Sequence, residues 1–187
     1  HAGAAPELLR VPALAVPPSP ARRRHVLSIL DLTPREVLYL CRRAVRNKHA
    51  SADPQTLRGR TVGVYFRKTS TRTRTAFNVG AGRLGATVVT FGPNDLQTNT
   101  GETLEDTART LAGYLDVLVM RTNESVEEMK TFASHSTISV VNALSSDEHP
   151  TQGLTDLTTL LEHFGRLEGL DVLYCGEGNK SAAALAL

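Results

Sequence analysis

The chain has 187 residues, of which 41% are hydrophobic and 21% are charged, enough to bury the core of one domain, or of one domain and part of another. Its 21 lysines and arginines nearly balance its 19 aspartates and glutamates, which argues against a general nucleic-acid or membrane binder, because such proteins carry a large basic excess. No apolar run approaches the roughly 20 residues of a membrane-spanning helix. Any positively charged site is therefore expected to be local.

The N-terminal 50 residues are predicted to contain a flexible tail, residues 1–25, and one helix. The first 20 residues are rich in alanine and proline and show no periodicity. A secretory signal peptide is disfavoured because prolines interrupt its apolar stretch and its positive end is missing, whereas a cleaved organellar leader remains an alternative. Thr33-Pro34-Arg35-Glu36 is a capping box with proline at the first helical position, which predicts a helix from about residue 33 to residue 47.

From residue 61 onward, short apolar runs alternate with segments of helical periodicity. The predicted strands are 61–66, 87–91, 116–121, 137–142 and 171–175. Predicted helices cover 103–114, 125–134 and about 151–164; others follow residue 75, where Phe77, Ala81 and Leu84 recur at helical spacing, and "GEGN" at 176–179. This alternation predicts an α/β fold, a parallel sheet with helices on both faces.

Polar clusters follow four of the predicted strands, each at the strand's carboxyl end. They are "TSTRTRT" at 69–75, Arg121, "SSDEHPTQ" at 145–152 and "GEGN" at 176–179. Because ligands of open parallel sheets bind beyond the carboxyl ends of the strands, these clusters predict one shared site.

Residues 69–75, here called the hydroxyl–arginine segment, are five hydroxyl residues and two arginines. They lie between a buried strand and a helix start, where free backbone N–H groups and a partial positive charge favour anions. Hydroxyls add donors, and Arg72 adds a forked cation suited to a phosphate. The alternative is a polar helix cap with solvated arginines, but such a cap needs one hydroxyl. The pattern therefore favours phosphate binding.

Arg121, His149 and Gln152 are candidate partners of a carbonyl or amide group. Taken singly, Arg121 could be a surface residue that ends a strand, and His149 could be structural or solvated. Near a phosphate site, the three together indicate an acyl phosphate with a polarised carbonyl. The sequence has no helical pair of metal ligands, no Ser-His-Asp signature and no G-x-S-x-G pattern, so neither a metal nor a covalent nucleophile is predicted.

The two cysteines, Cys41 and Cys175, each lie in an apolar segment. We interpret them as buried, reduced thiols of a cytoplasmic protein, because two cysteines in 187 residues do not form a disulfide framework.

Taken in order, these clusters resemble the aspartate/ornithine carbamoyltransferase family. The resemblance runs from about Leu27 to the last residue. It rests on "STRTR" at 70–74, "GETLEDTARTL" at 101–111, Arg121, "DEHPTQ" at 147–152 and "GEGN". "KTSTRTRT", "DLQ", "GETLEDTAR" and "GEGN" lean towards the ornithine carbamoyltransferase branch.

The resemblance implies roles for the polar clusters. The phosphate of carbamoyl phosphate would be held by Ser70, Thr71, Arg72 and Thr73. The carbonyl oxygen would be bound by Arg121 and His149 with Thr73, and Gln152 would accept from the carbamoyl amide. The implied reaction is carbamoyl transfer to the amine of ornithine, which gives citrulline and phosphate without a metal or organic cofactor.

The resemblance also implies an assembly and a domain organisation. Gln97 would reach the site of a neighbouring subunit in a homotrimer or a multiple of trimers, and Asn179 would hold the amino-acid substrate. The implied units are the tail (1–25), a carbamoyl-phosphate-binding domain (26–150), an interdomain helix (151–168) and the truncated start of an amino-acid-binding domain (169–187). No nucleic acid or membrane is expected as a partner.

Four features depart from the family pattern. Position 67 is arginine where ornithine enzymes more often have an acidic residue, "HPTQ" is frequent in the aspartate branch, and "LQTNTGE" lacks the usual loop pattern. Ending at Leu187, the chain is expected to lack most amine-binding residues. Two alternatives therefore stay open: a relative that carbamoylates another amine, or aspartate, and a phosphate-binding module that is inactive alone.

Overall fold

The computed structural model describes residues 24–50, 54–122 and 124–187. Its centre is a four-stranded parallel sheet in the order β2-β1-β3-β4. The strands are β1 (Thr61–Phe66), β2 (Thr87–Phe91), β3 (Val117–Arg121) and β4 (Ser139–Leu144). Each lies within two residues of its predicted bounds. Five of the six residues of β1 are buried, as expected for a strand covered on both faces.

Six α-helices surround the sheet in the part of the chain that the structure describes. They are α1 (Pro34–His49), α2 (Arg72–Arg83), α3 (Leu104–Ala112), α4 (Glu127–His135), α5 (Pro150–Phe164) and α6 (Lys180–Ala186). The predicted capping box is present: the backbone N–H of Glu36 donates to the Thr33 hydroxyl, and the Thr33 N–H donates to the Glu36 carboxylate.

The helices cover both faces of the sheet, which confirms the predicted fold class. Tyr65 of β1 faces a core cluster that includes Leu111 of α3 and Phe132 of α4. Val64 and Phe66, on the other face, pack in a second cluster with α2. Burying a side chain of this size stabilises a fold by roughly 1.5–3 kcal/mol, so the two clusters hold the strand ends in fixed positions.

The N-terminal segment adds a short extension beside β4. Val26 pairs in parallel with Val141: its N–H donates to the Val140 carbonyl at 2.9 Å, and the Asn142 N–H donates to its carbonyl at 2.8 Å. Arg24 binds the Glu36 carboxylate, and His25 Nδ1 accepts from the Val140 N–H. The last two residues of the predicted tail therefore belong to the folded unit, and residues 1–23 lie outside the described part.

The prediction of a strand at 171–175 is wrong. These residues form no strand, and Val172, Leu173 and Tyr174 are 53%, 86% and 47% exposed. Apolar character alone does not make a strand, because a parallel strand needs a neighbour for its backbone groups, and none of the described residues supplies one. Cys175 is likewise exposed rather than buried, whereas Cys41 is buried as expected.

Helix α6 packs against α5 through an unusually close approach. A Cβ atom on Gly153 would lie 2.8 Å from the carbonyl oxygen of Ala184. Ala184 is only 2% exposed. Only glycine leaves room for this contact, which holds the C-terminal half of α6 beside the start of α5. No helix in the described ranges is both long and apolar enough to cross a membrane.

Candidate active site

The order of the strands creates a crevice between β1 and β3. Strand β2 lies on one side of β1 and β3 on the other, so the connections that leave β1 and β3 diverge there. Such a switch point is where parallel sheets bind ligands. Phe66 and Arg121 are register partners at this edge, and the Arg67 N–H donates to the Arg121 carbonyl at 3.0 Å. The segment after β1 and the end of β3 therefore lie side by side at the carboxyl edge of the sheet.

The hydroxyl–arginine segment forms the loop after β1 and the first turn of α2. The helix begins at Arg72, inside the segment, so the backbone N–H groups of this first turn point towards the crevice end of the sheet. Thr71, at the N-cap position, makes no side-chain cap. The alternative interpretation of the segment as a polar helix cap is therefore weakened, because the residue at the N-cap position does not cap the helix.

Arg121 joins the two sides of the crevice. Its Nη1 atom donates to the Ser70 hydroxyl at 3.2 Å and to the Thr73 hydroxyl at 3.4 Å. The guanidinium carbon lies 6.0 Å from the centre of the Phe66 ring, at the outer limit of a cation–π contact. Burial lowers the pKa of Arg121. Its Nε atom is buried and has no hydrogen-bond partner among the described residues.

His149 precedes α5 and is only 5% exposed. Burial, and to a lesser extent the positive charge of Arg121, lowers the pKa of His149 from 6.5 to about 4. The ring is therefore neutral at physiological pH. The Thr151 hydroxyl lies 3.3 Å from the ring Nδ1 atom of His149. The backbone N–H of His149 donates to the Lys180 carbonyl at 3.3 Å. These contacts fix the start of α5 against the start of α6.

A cavity of about 280 Å³ lies between α2 and α5. It is lined by Arg72, Thr73, Ala76, Phe77, His149, Thr151, Gln152 and Thr155. The structure thus brings four predicted site residues to one cavity, with Arg121 bound to one of them, Thr73. The Gln152 amide nitrogen donates to Asp156 at 2.8 Å, which leaves its amide oxygen as the available acceptor.

Gln97 and Asn179 do not line this cavity. Gln97 is exposed in a short 3₁₀ turn, Gln97–Thr100, where it is bonded to Thr100. Asn179 caps α6: its Oδ1 atom accepts from the backbone N–H groups of Ser181 at 3.0 Å and Ala182 at 3.1 Å. Their roles towards a neighbouring subunit and an amino acid stay predictions.

Three residues near the site were not identified from the sequence. Leu144, at the end of β4, has a φ of 151°, which is a strained backbone for leucine. The fully buried Asn142 stabilises it by accepting from the Leu144 N–H at 2.9 Å. The third is Glu148, a buried carboxylate beside His149. An amide residue between apolar neighbours in the strand "SVVNAL" was the available signal for Asn142.

Arg67 points away from the cavity. Its Nε atom donates to the Tyr65 hydroxyl at 3.0 Å, and its Nη2 atom lies 3.1 Å from the Glu128 carboxylate on α4. Burial raises the pKa of Glu128, and the charge of Arg67 opposes that rise. The unusual arginine thus neutralises a half-buried carboxylate on the opposite face of the sheet. Within the described ranges, no three His, Cys, Asp or Glu side chains are grouped to hold a metal.

Comparison with known proteins identifies the family. The family model "Aspartate/ornithine carbamoyltransferase, carbamoyl-P binding domain" matches residues 24–162. The ornithine carbamoyltransferase of Caldicellulosiruptor saccharolyticus is 44% identical over 166 residues, covering 87% of this chain and 53% of that protein. The chain spans about half the length of the curated relatives it matches.

Solved structures agree with this match. The ornithine carbamoyltransferase from Pyrococcus furiosus superposes with a TM-score of 0.80 at 33% identity, covering 88% of this chain and 53% of that one. An aspartate transcarbamoylase from Trypanosoma cruzi, in complex with N-(phosphonacetyl)-L-aspartic acid, gives 0.74 at 28% identity, covering 88% and 54%. The chain therefore belongs to the aspartate/ornithine carbamoyltransferase family, in its ornithine carbamoyltransferase branch.

Proposed function

We propose that the crevice between β1 and β3 binds carbamoyl phosphate and polarises its carbonyl group. The observation that carries this proposal is the half-buried guanidinium of Arg121. It is held on the hydroxyls of Ser70 and Thr73, and its buried Nε–H has no hydrogen-bond partner among the described residues. A cation at this place, beside the first turn of α2, suits a ligand with both a phosphate and a carbonyl oxygen.

The phosphate binds at the hydroxyl–arginine segment. Backbone N–H groups of the first turn of α2 and the side chains of Ser70, Thr71, Arg72 and Thr73 donate to its oxygens. Arg72 is exposed at the rim of the cavity, so its guanidinium can close over a bound phosphate without burying an unpaired charge beforehand.

The carbonyl oxygen binds between Arg121 and His149. The neutral ring of His149 has one N–H to donate. If the Thr151 hydroxyl donates to Nδ1, the ring proton is on Nε2, and Nε2 is the donor to the carbonyl oxygen. Because the ring is already neutral, it remains a donor without adding a second positive charge beside Arg121. The Gln152 amide oxygen accepts from the carbamoyl NH₂ group.

Transfer follows by direct displacement. The neutral amine of the acceptor attacks the carbamoyl carbon, and negative charge develops on the carbonyl oxygen, where Arg121 and His149 donate. The bond from carbon to the phosphate oxygen then breaks; phosphate leaves with the electron pair and takes the proton that the amine loses. Loss of one donor to such an oxyanion typically lowers the rate ~10²–10³-fold.

We infer that ornithine is the acceptor, because the relatives that match over most of this chain are named ornithine carbamoyltransferases. A homotrimer in which Gln97 serves a neighbouring site, a place in arginine metabolism and a cytoplasmic location are parts of the same proposal. Turnover assays with ornithine, other amines and aspartate test the acceptor. We expect activity from a longer chain with a second α/β domain, and phosphate binding without turnover from the 187 residues.

Calorimetric titration with carbamoyl phosphate tests the binding proposal. The Arg121→Met variant should bind about 10–100-fold more weakly than the wild type, because charge-assisted hydrogen bonds contribute about 1.5–3 kcal/mol. Arg109→Met is the matched control, since Arg109 is an exposed arginine paired with Asp106. The proposal fails if the wild type does not bind carbamoyl phosphate or if the two variants bind it equally.

A further inference from the structure

Glu148 lies next to His149 and is only 6% exposed. Its Oε2 atom accepts from the Ser28 hydroxyl at 2.6 Å, and its Oε1 atom accepts from the Ile29 N–H at 2.8 Å. Ser28 is 120 positions away in sequence. A buried carboxylate without its donors would cost several kcal/mol, so these two hydrogen bonds are what allow the residue to be buried.

The partners of Glu148 belong to a rigid turn. Ser28 caps the 3₁₀ turn Ile29–Asp31, and the Asp31 carboxylate accepts from the N–H groups of Leu27 at 2.7 Å and Ser28 at 2.9 Å. Val26, two residues earlier, is paired with β4. The carboxylate of Glu148 is therefore tied to a segment that is itself held on the sheet.

The backbone of Glu148 closes the loop that follows β4. Its N–H donates to the Ser145 hydroxyl at 3.2 Å, and its carbonyl accepts from the Ser145 N–H at 3.0 Å. The side chain of Asn142 reaches the same turn and also donates to the Leu27 carbonyl at 2.8 Å. Glu148 and Asn142 thus make three hydrogen bonds to residues 27–29, two from the carboxylate of Glu148 and one from Asn142 of β4. The last residue of the loop is His149.

We propose that Glu148 is a positioning residue: its carboxylate fastens the loop 145–149 to the N-terminal segment and so holds the His149 ring in the cavity between α2 and α5. The inference rests on the proposed function, in which His149 donates to the carbonyl oxygen. It extends the site to Ser28 and Ile29, neither of which lines the cavity.

Glu148→Ala removes both acceptors and leaves the Ile29 N–H buried without a partner, so the loop should move and the His149 ring should gain contact with water. Glu148→Gln keeps one acceptor for Ile29 and one polar group for the Ser28 hydroxyl, and should largely preserve the position of the ring. Ser28→Ala removes one of the two bonds and should have an intermediate effect, with less risk to folding.

The test is an NMR titration of the His149 ring in the 187-residue chain, with its resonance assigned by comparison with His149→Gln. The pKa of the ring should rise from about 4 towards 6.5 in Glu148→Ala, rise less in Ser28→Ala and stay near the wild-type value in Glu148→Gln. Phosphate affinity should stay within about twofold in all three, because the proposed phosphate-binding segment lies in the loop after β1 and the first turn of α2.

An unchanged His149 pKa in both Glu148→Ala and Ser28→Ala overturns the inference. So does an equal loss of phosphate affinity in these variants, because it would show general destabilisation rather than local positioning. If Glu148→Ala does not fold, the inference is decided by comparing the pKa of the His149 ring in Ser28→Ala with its value in Glu148→Gln. A wild type that fails to bind phosphate would refute the proposed function but would leave the ring measurement valid.

Discussion

The Nη1 atom of Arg121 lies 3.2 Å from the Ser70 hydroxyl, although 51 positions separate the two residues. The contact joins the carboxyl ends of β3 and β1, which are neighbours in the sheet because β2 lies on the far side of β1. The pair places a cation where the first turn of α2 already favours an anion. The proposed phosphate binding and carbonyl polarisation both depend on this junction.

Arg72→Ala should weaken the binding of carbamoyl phosphate and inorganic phosphate by about tenfold or more, because it removes a charge-assisted donor at the rim of the cavity. Arg46→Ala, on helix α1, is the control, and its affinities should match the wild type. Calorimetry on both variants measures the effect. Equal phosphate affinities for the two variants would remove Arg72 from the site.

The stability of the chain should depend on pH through His149. Its pKa is about 4 in the folded state and near 6.5 when unfolded, so between these values the unfolded state binds the extra proton. The free energy of unfolding should fall as the pH decreases from 6.5 to 4, by at most about 3 kcal/mol from this group. Above pH 6.5 both states are neutral and the contribution is constant.

Denaturant unfolding at several pH values, on the wild type and on His149→Gln, isolates this contribution. The difference between their free energies of unfolding should change across pH 6.5 to 4 and be flat above it. A difference that is constant over the whole range would mean that His149 is not buried in its neutral form.

The sequence predicted most of this fold because the decisive signals are local. The apolar run 61–66 and the capping box at Thr33 each depend on neighbouring residues, and both are confirmed. The strand predicted at 171–175 failed because strand formation depends on a neighbour that a local pattern does not show. Glu148 was missed for a related reason, since its donors, Ser28 and Ile29, are far away in sequence.

The grouping of the candidate site residues was predictable in part. Hydroxyls and arginines beyond a buried strand predicted an anion site, which stays a prediction, and the order of the strands places Arg121 beside them. The strained Leu144 and the start of α2 at Arg72 depend on tertiary hydrogen bonds and backbone geometry, which residue types alone do not show. Gln97 and Asn179 were predicted through the family resemblance, and their roles stay predictions.

Gly153→Ala should destabilise the chain by about 1–3 kcal/mol, because its Cβ would collide with the backbone of Ala184 and push α6 away from α5. Gly80→Ala, in α2, is the control: no atom of the described residues, its own helix backbone aside, lies within 4 Å of its Cβ, so it should stabilise the chain by about 0.5–1 kcal/mol. Thermal unfolding of both variants measures the effect. If Gly153→Ala were as stable as Gly80→Ala, the packing of α6 on α5 would be refuted.

The most direct test of the central claim is the ¹³C NMR chemical shift of carbamoyl phosphate, labelled at the carbonyl carbon and bound to the chain. Donation from Arg121 and His149 should draw electron density from that carbon and move its resonance downfield of the free ligand. The shift should shrink in His149→Gln and in Arg121→Met at saturating ligand. A bound resonance at the position of the free ligand, or one that neither substitution changes, would contradict the account.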